Sequence, residues 1–99
     1  MSFDRRHSWD VSYVEAREIQ LQLRAEVVAC DRLGSVRFVA GIDVGFEENG
    51  TVGRAAVAVL TFPGLELCEH AVARRPTSFP YIPGLLSFRE TPIILDALE

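Results

Sequence analysis

Apolar residues at Ala16, Ile19, Leu23 and Val27 recur at three- and four-residue spacing, with Glu15, Glu18 and Arg24 between them. That period places the four on one face of an amphipathic helix running from Ser12 to Val28. Ser12 and Glu15 stand three apart, as in a capping box, so the helix is expected to start there and to end before Asp31. From Val36 to Phe46 the period changes to two. Val36, Phe38, Ala40, Ile42 and Val44 fall on one side of a strand, and Arg37, Val39, Gly41, Asp43 and Gly45 on the other. Asn49-Gly50 signals a tight turn, after which the apolar run Ala55 to Leu60 suits a central strand covered on both faces. Pro63-Gly64 makes the next reversal, and Leu65 to Ala73 alternates less cleanly, completing a three-stranded antiparallel meander.

Beyond Arg75 the prolines at 76, 80 and 83 predict a rigid surface loop, because proline cannot donate to a sheet ladder. A second helix is expected with Thr91 as N-cap, Pro92 at its first position, and an apolar face of Ile93, Ile94, Ala97 and Leu98. No internal repeat or low-complexity stretch interrupts this order, so the 99 residues are read as a single domain.

Composition narrows the class. A hydrophobic content of 48% suits one globular core. Cys30 and Cys68 lie far apart and belong to no CxxC pair, which predicts reduced, half-buried thiols and no zinc or redox role. No apolar run approaches the roughly 18 residues of a membrane span, and the polar stretch Met1 to Asp10 has the form of neither a signal nor a transit peptide. A cytoplasmic protein without membrane partners is expected. The formal net charge of -4 argues against a broad phosphate-binding surface. Against that, the ten basic residues are all Arg, the side chain suited to bidentate phosphate contacts. A carboxylate-lined metal site would also be acidic before its cation arrives.

Asp43 sits within a strand, with Gly41 and Gly45 as its neighbours on the same face. Two absent side chains leave room for a hydrated cation and a phosphodiester; equally, Asp43 could simply end its strand and cap the following turn. Glu90, at the expected start of the last helix, serves either as a second metal ligand or as an acid favoured by the helix dipole. Pro80-Tyr81-Ile82-Pro83 holds two apolar side chains on a stiff segment, a form suited to wedging beside a base and also to a turn packed on the sheet. Arg89 either contacts a phosphate or neutralises Glu90. His7 and His70 lack clustered partners and read as structural or solvated.

These features occur together, in order, in one family. Asp-Arg-Leu at 31–33, Val-Ala-Gly-Ile-Asp-Val-Gly-Phe at 39–46, Arg-Ala-Ala at 54–56 and Pro-Tyr-Ile-Pro-Gly-Leu-Leu-Ser-Phe-Arg-Glu at 80–90 resemble endonuclease V. The resemblance implies an α/β, ribonuclease H-like fold (α+β over this stretch alone). It also implies a repair endonuclease that nicks DNA or RNA at the second phosphodiester 3′ to a deaminated base, chiefly hypoxanthine, with Mg²⁺ or Mn²⁺. Asp43 and Glu90 would then be metal ligands opening onto one pocket, and Tyr81 with its flanking prolines the strand-separating wedge. The departure is at the end: the family carries a third acidic residue in a later Val-Asp-Gly-His-Gly-type strand, then Lys and His residues, which these 99 residues lack. Asp96 matches no family motif and is no substitute. The fold is therefore expected to be incomplete at its C-terminus. Two carboxylates should hold Mg²⁺ weakly and nick poorly, and the bare edge of the first strand should favour self-association or a complementary C-terminal segment. A non-catalytic nucleic-acid-binding or assembly module is the alternative, and an unrelated small α+β domain the third.

Overall fold

The computed structural model describes residues 6–99; Met1 to Arg5, part of the polar stretch read above, lie outside the described residues. The chain runs α1 (Tyr13–Arg24), β1 (Phe38–Glu47), β2 (Val52–Thr61), β3 (Leu67–Pro76) and α2 (Leu86–Leu98). The capping box is formed: the Ser12 hydroxyl accepts from Glu15 N–H and the Glu15 carboxylate accepts from Ser12 N–H. The helix ends one turn before the expected boundary. Glu26 and Val27 donate to carbonyls only three residues back, and Val27 is exposed, because the apolar surface that receives Ala16 and Ile19 does not extend to it.

The sheet is an antiparallel meander of order β1-β2-β3, with Asp43 opposite Ala56 and Ala56 opposite Val72. Opposed residues share a face, so the register separates two surfaces. Ile42, Val44 and Phe46 lie with Gly53, Ala55, Val57 and Ala73 on the face that α2 covers, where Ile93 and Ala97 complete the core. Gly41, Asp43 and Gly45 lie with Arg54, Ala56, Val72 and Arg74 on the other. The expectation that β2 is covered on both faces is therefore corrected. Its outward positions carry the small side chains of Ala56 and Ala58, and among the described residues no element packs over them.

Two further boundaries move. β3 runs through Pro76, so the loop starts at Thr77. β3 is an edge strand, and Thr77 N–H resumes the pairing by donating to Thr51 O, so the missing N–H of Pro76 faces the free edge. α2 begins at Leu86, five residues before the expected cap, and contains Pro92 in its interior. Proline deletes one helical hydrogen bond there, but Phe88, Pro92, Ile93 and Ala97 are all buried, and that burial outweighs the local penalty. A second cluster joins α1 to the loop and the start of α2: Ala16, Phe79, Leu85 and Phe88, with Trp9, Val11, Ile19 and Ile82 against it. Among the described residues no helix is long and apolar enough to cross a membrane.

Candidate metal and nucleic-acid site

Asp43 lies mid-strand on β1, exposed, on the sheet face turned away from α2. A Cβ built on Gly41 or Gly45 would meet nothing within 4 Å, and neither glycine has a positive φ. Neither backbone conformation nor packing among the described residues requires glycine at these two positions, and both leave open space beside Asp43. The depression there, about 410 Å³, is floored by Ala56, Ala58 and Val72, with His70 at its side. Asp43 does not end its strand or cap the turn, since β1 continues for four more residues to Glu47. Among the described residues it makes no hydrogen bond or ion pair.

Glu90 is the fifth residue of α2, so its expected place at the helix boundary is corrected: the helix dipole acts on the first turn and favours it little. Spacing puts it one turn before Ile93 and Ile94, half-buried. Pro92 and Asp96 occupy the flank that meets Arg75 of β3, whereas Glu90 shares the helical stripe of Ile93, Ile94 and Ala97 that faces the sheet. It too has no hydrogen-bond or ion-pair partner among the described residues. Asp43 thus stands on the face turned away from α2, and Glu90, on α2, does not line the depression at Asp43. Among the described residues the edge of β1 away from β2 has no partner strand.

As donors, two unpartnered carboxylates have the chemistry a hard divalent cation requires. Their number falls short. Among the described residues no group of three or more His, Cys, Asp or Glu is placed to hold a metal ion.

The proline loop divides its side chains. Tyr81 projects, 68% exposed, between exposed Pro80 and Pro83, whereas Ile82 turns inward onto the cluster of Ala16, Phe79, Leu85 and Phe88. The reading of Ile82 as part of an outward wedge is corrected: burying an aliphatic side chain in that cluster is favoured over leaving it in water. Gln20 of α1 donates to Gly84 O at 2.8 Å, which ties the loop to the first helix.

Arg89 is likewise committed. It donates to Phe79 O at 3.2 Å and to Gly50 O at 3.4 Å, and its guanidinium lies 4.2 Å from the centre of the Phe46 ring. It forms no ion pair with Glu90 among the described residues, and its two carbonyl contacts make it a clamp between loop, turn and strand, not a free phosphate ligand. The cysteines depart from expectation too: Cys30 and Cys68 are both free and exposed, Cys68 on the edge strand β3. His7 meets Trp9 in a tilted ring contact, 4.4 Å between centroids, a structural role, and His70 is exposed.

The arrangement sequence reasoning missed is an ion network. Glu47 receives Arg74 at 2.8 Å and Arg54 at 3.4 Å on the face that carries Asp43. The two-residue period signalled it, since Gly45, Asp43 and Glu47 share parity and the Asn49-Gly50 turn sets Arg54 opposite Gly45.

The Endonuclease V family model matches residues 21–99. The chain belongs to the Endonuclease V family. Among curated relatives, Endonuclease V of Nostoc punctiforme is 54% identical over 100 residues, covering 100% of this chain and 45% of the relative. The Roseiflexus castenholzii protein is 54% identical over 92 residues, 93% of this chain and 40% of its own. The solved Endonuclease V of Streptomyces avermitilis superposes with a TM-score of 0.79 at 39% identity over 92% of this chain and 41% of that one. A Ciona intestinalis Endonuclease V, solved with a 23mer DNA containing an inosine followed by a ribo-adenosine, gives 0.75 at 26% identity over 86% and 37%. The chain spans less than half the length of these Endonuclease V relatives. Its helix, meander and second helix are the corresponding part of an α/β, ribonuclease H-like fold.

Proposed function

We propose that this chain carries part of the machinery of a metal-dependent endonuclease that nicks DNA or RNA 3′ to a deaminated base, hypoxanthine above all, in repair. The observation that carries the reading is Asp43: an unpartnered carboxylate in mid-strand between two glycines whose absent side chains no packing requires. Glu90, half-buried and equally unpartnered among the described residues, supplies a second oxygen donor from α2. A bound Mg²⁺ or Mn²⁺ would activate the attacking water and stabilise the leaving oxygen. What the chain's own residues do is hold that cation and keep the surface beside it open. Tyr81, held out by Pro80 and Pro83 and anchored through Ile82 and Phe79, enters beside the base and props the strand apart. The inosine-containing DNA bound by the Ciona relative supports that substrate class.

The scarcity of ligands favours a second reading for these residues acting alone, as a nucleic-acid-binding module that does not cleave. The free edge of β1 is then the surface for a complementary C-terminal segment or a second copy. Two experiments test the two parts. Mn²⁺ titrated into the protein and followed by electron paramagnetic resonance should show weak binding that Asp43→Asn and Glu90→Gln each diminish, the double variant losing no more than the worse single one. Strictly additive losses would mean separate sites and end the shared-cation reading. A 5′-labelled inosine oligonucleotide should stay intact with Mg²⁺ present; nicking that disappears on Asp43→Ala would show that two carboxylates suffice.

A further inference from the structure

The register puts Gly45, Arg54 and Arg74 in one row across the sheet, and Asp43, Ala56 and Val72 in the next row on the same face. Rows two residues apart are separated by about 7 Å along the strand. Two arginines directly opposed on neighbouring strands repel, and such pairs are disfavoured unless an anion lies between them. Glu47 fills that role in part, with one oxygen toward each guanidinium. A single carboxylate leaves one positive charge over, and each guanidinium has five N–H donors, of which this contact engages one. Both arginines are exposed. Gly45 offers no side chain between them and Asp43. In a chain of net charge -4, a surplus positive charge beside an unpartnered aspartate is a local exception to the overall balance.

We propose that Arg54 and Arg74 form a phosphate-binding pair for the nucleic-acid strand, gripping the phosphodiester adjacent to the one presented at Asp43, with Glu47 holding the two guanidiniums ready. The proposal rests on the endonuclease reading and adds to it the residues that set the strand on the sheet. Arginine suits the role because its planar fork matches two phosphate oxygens at once, and the pair spans both β2 and β3, fixing the strand's direction across the face. Glu47 competes with the phosphate for the same donors, so its removal should strengthen binding.

The test measures binding of an inosine-containing single-stranded oligonucleotide by fluorescence anisotropy across a range of salt. The double variant Arg54→Gln/Arg74→Gln should bind severalfold to tenfold more weakly, with the slope of log K against log[salt] lowered by about 0.7 if the pair shares one phosphate. Arg54→Lys/Arg74→Lys should recover the slope. Glu47→Gln should bind more tightly by a few fold; a purely structural network would instead lose stability and gain no affinity. Circular dichroism melting of each variant separates unfolding from lost contact. An unchanged affinity and slope in the double glutamine variant, while Tyr81→Ala weakens binding, overturns this pair and leaves the endonuclease reading standing. Failure of the parent protein to bind any oligonucleotide overturns both.

Discussion

The two faces of this sheet are built from the same three strands and meet opposite demands. One receives α2: Gly53, Ala55 and Val57 are buried beneath Ile93 and Ala97, and a Cβ on Gly53 would collide with the Ile93 side chain. The other is open: Val72 is 55% exposed, and a Cβ on Gly45 would touch nothing. On the covered face glycine makes room for a helix, and on the open face it leaves space that no described residue fills. The chemistry-bearing groups of the sheet, Asp43, Arg54 and Arg74, all stand on the second. Burial is concentrated on the covered face, which leaves the open face free to carry charged residues with little effect on the core.

That division can be broken by substitution. Ile93, 1% exposed, is the largest fully buried side chain, and Ile93→Ala should cost about 3 kcal/mol in urea unfolding, from lost burial and the cavity left behind. A cost below about 1 kcal/mol would mean that α2 does not hold the covered face together. The glycine pair sharpens the contrast. Gly53→Ala should destabilise by about 2 kcal/mol through overpacking against Ile93, whereas Gly45→Ala, with open space and an ordinary strand φ, should be neutral or stabilise by about 0.5 kcal/mol. Equal effects would erase the distinction between the faces. Smallest of all, Asp43→Asn should change stability by less than about 0.5 kcal/mol, as befits an exposed side chain without a partner among the described residues, while diminishing Mn²⁺ binding. A large loss of stability on that substitution would make Asp43 a structural residue.

Much of the fold was legible because local rules and tertiary packing agree. Ser12 and Glu15 form the cap their spacing announced, Asn49-Gly50 turns the chain, and strict alternation from Phe38 to Phe46 assigns Asp43 to its face. The failures fall where packing overrides a local signal. Pro92 reads as a helix start, yet it lies inside α2, where the burial of Phe88 and Ile93 on either side holds the turn despite the missing donor. Pro76 reads as a strand breaker, yet it ends an edge strand with its ring nitrogen on the free side. Alternation in one strand shows which residues share a face but not which face a distant helix will cover, so the placement of Asp43 on the face turned away from α2 was out of reach. The roles of Ile82 and Arg89 were equally hidden, since each depends on partners far along the chain.

Arg89 has a mechanical consequence. One guanidinium bonds to a carbonyl in the segment that bears Tyr81, bonds to another in the hairpin turn that closes β1, and rests on the ring of Phe46, three positions after Asp43. The aromatic tip and the acidic strand are therefore braced against a common strut, and the gap between them behaves as the fixed span of a caliper. Under the endonuclease proposal, a strand gripped at both points would have the number of nucleotides from the altered base to the reacting bond set by that span and not by where the strand happens to slide.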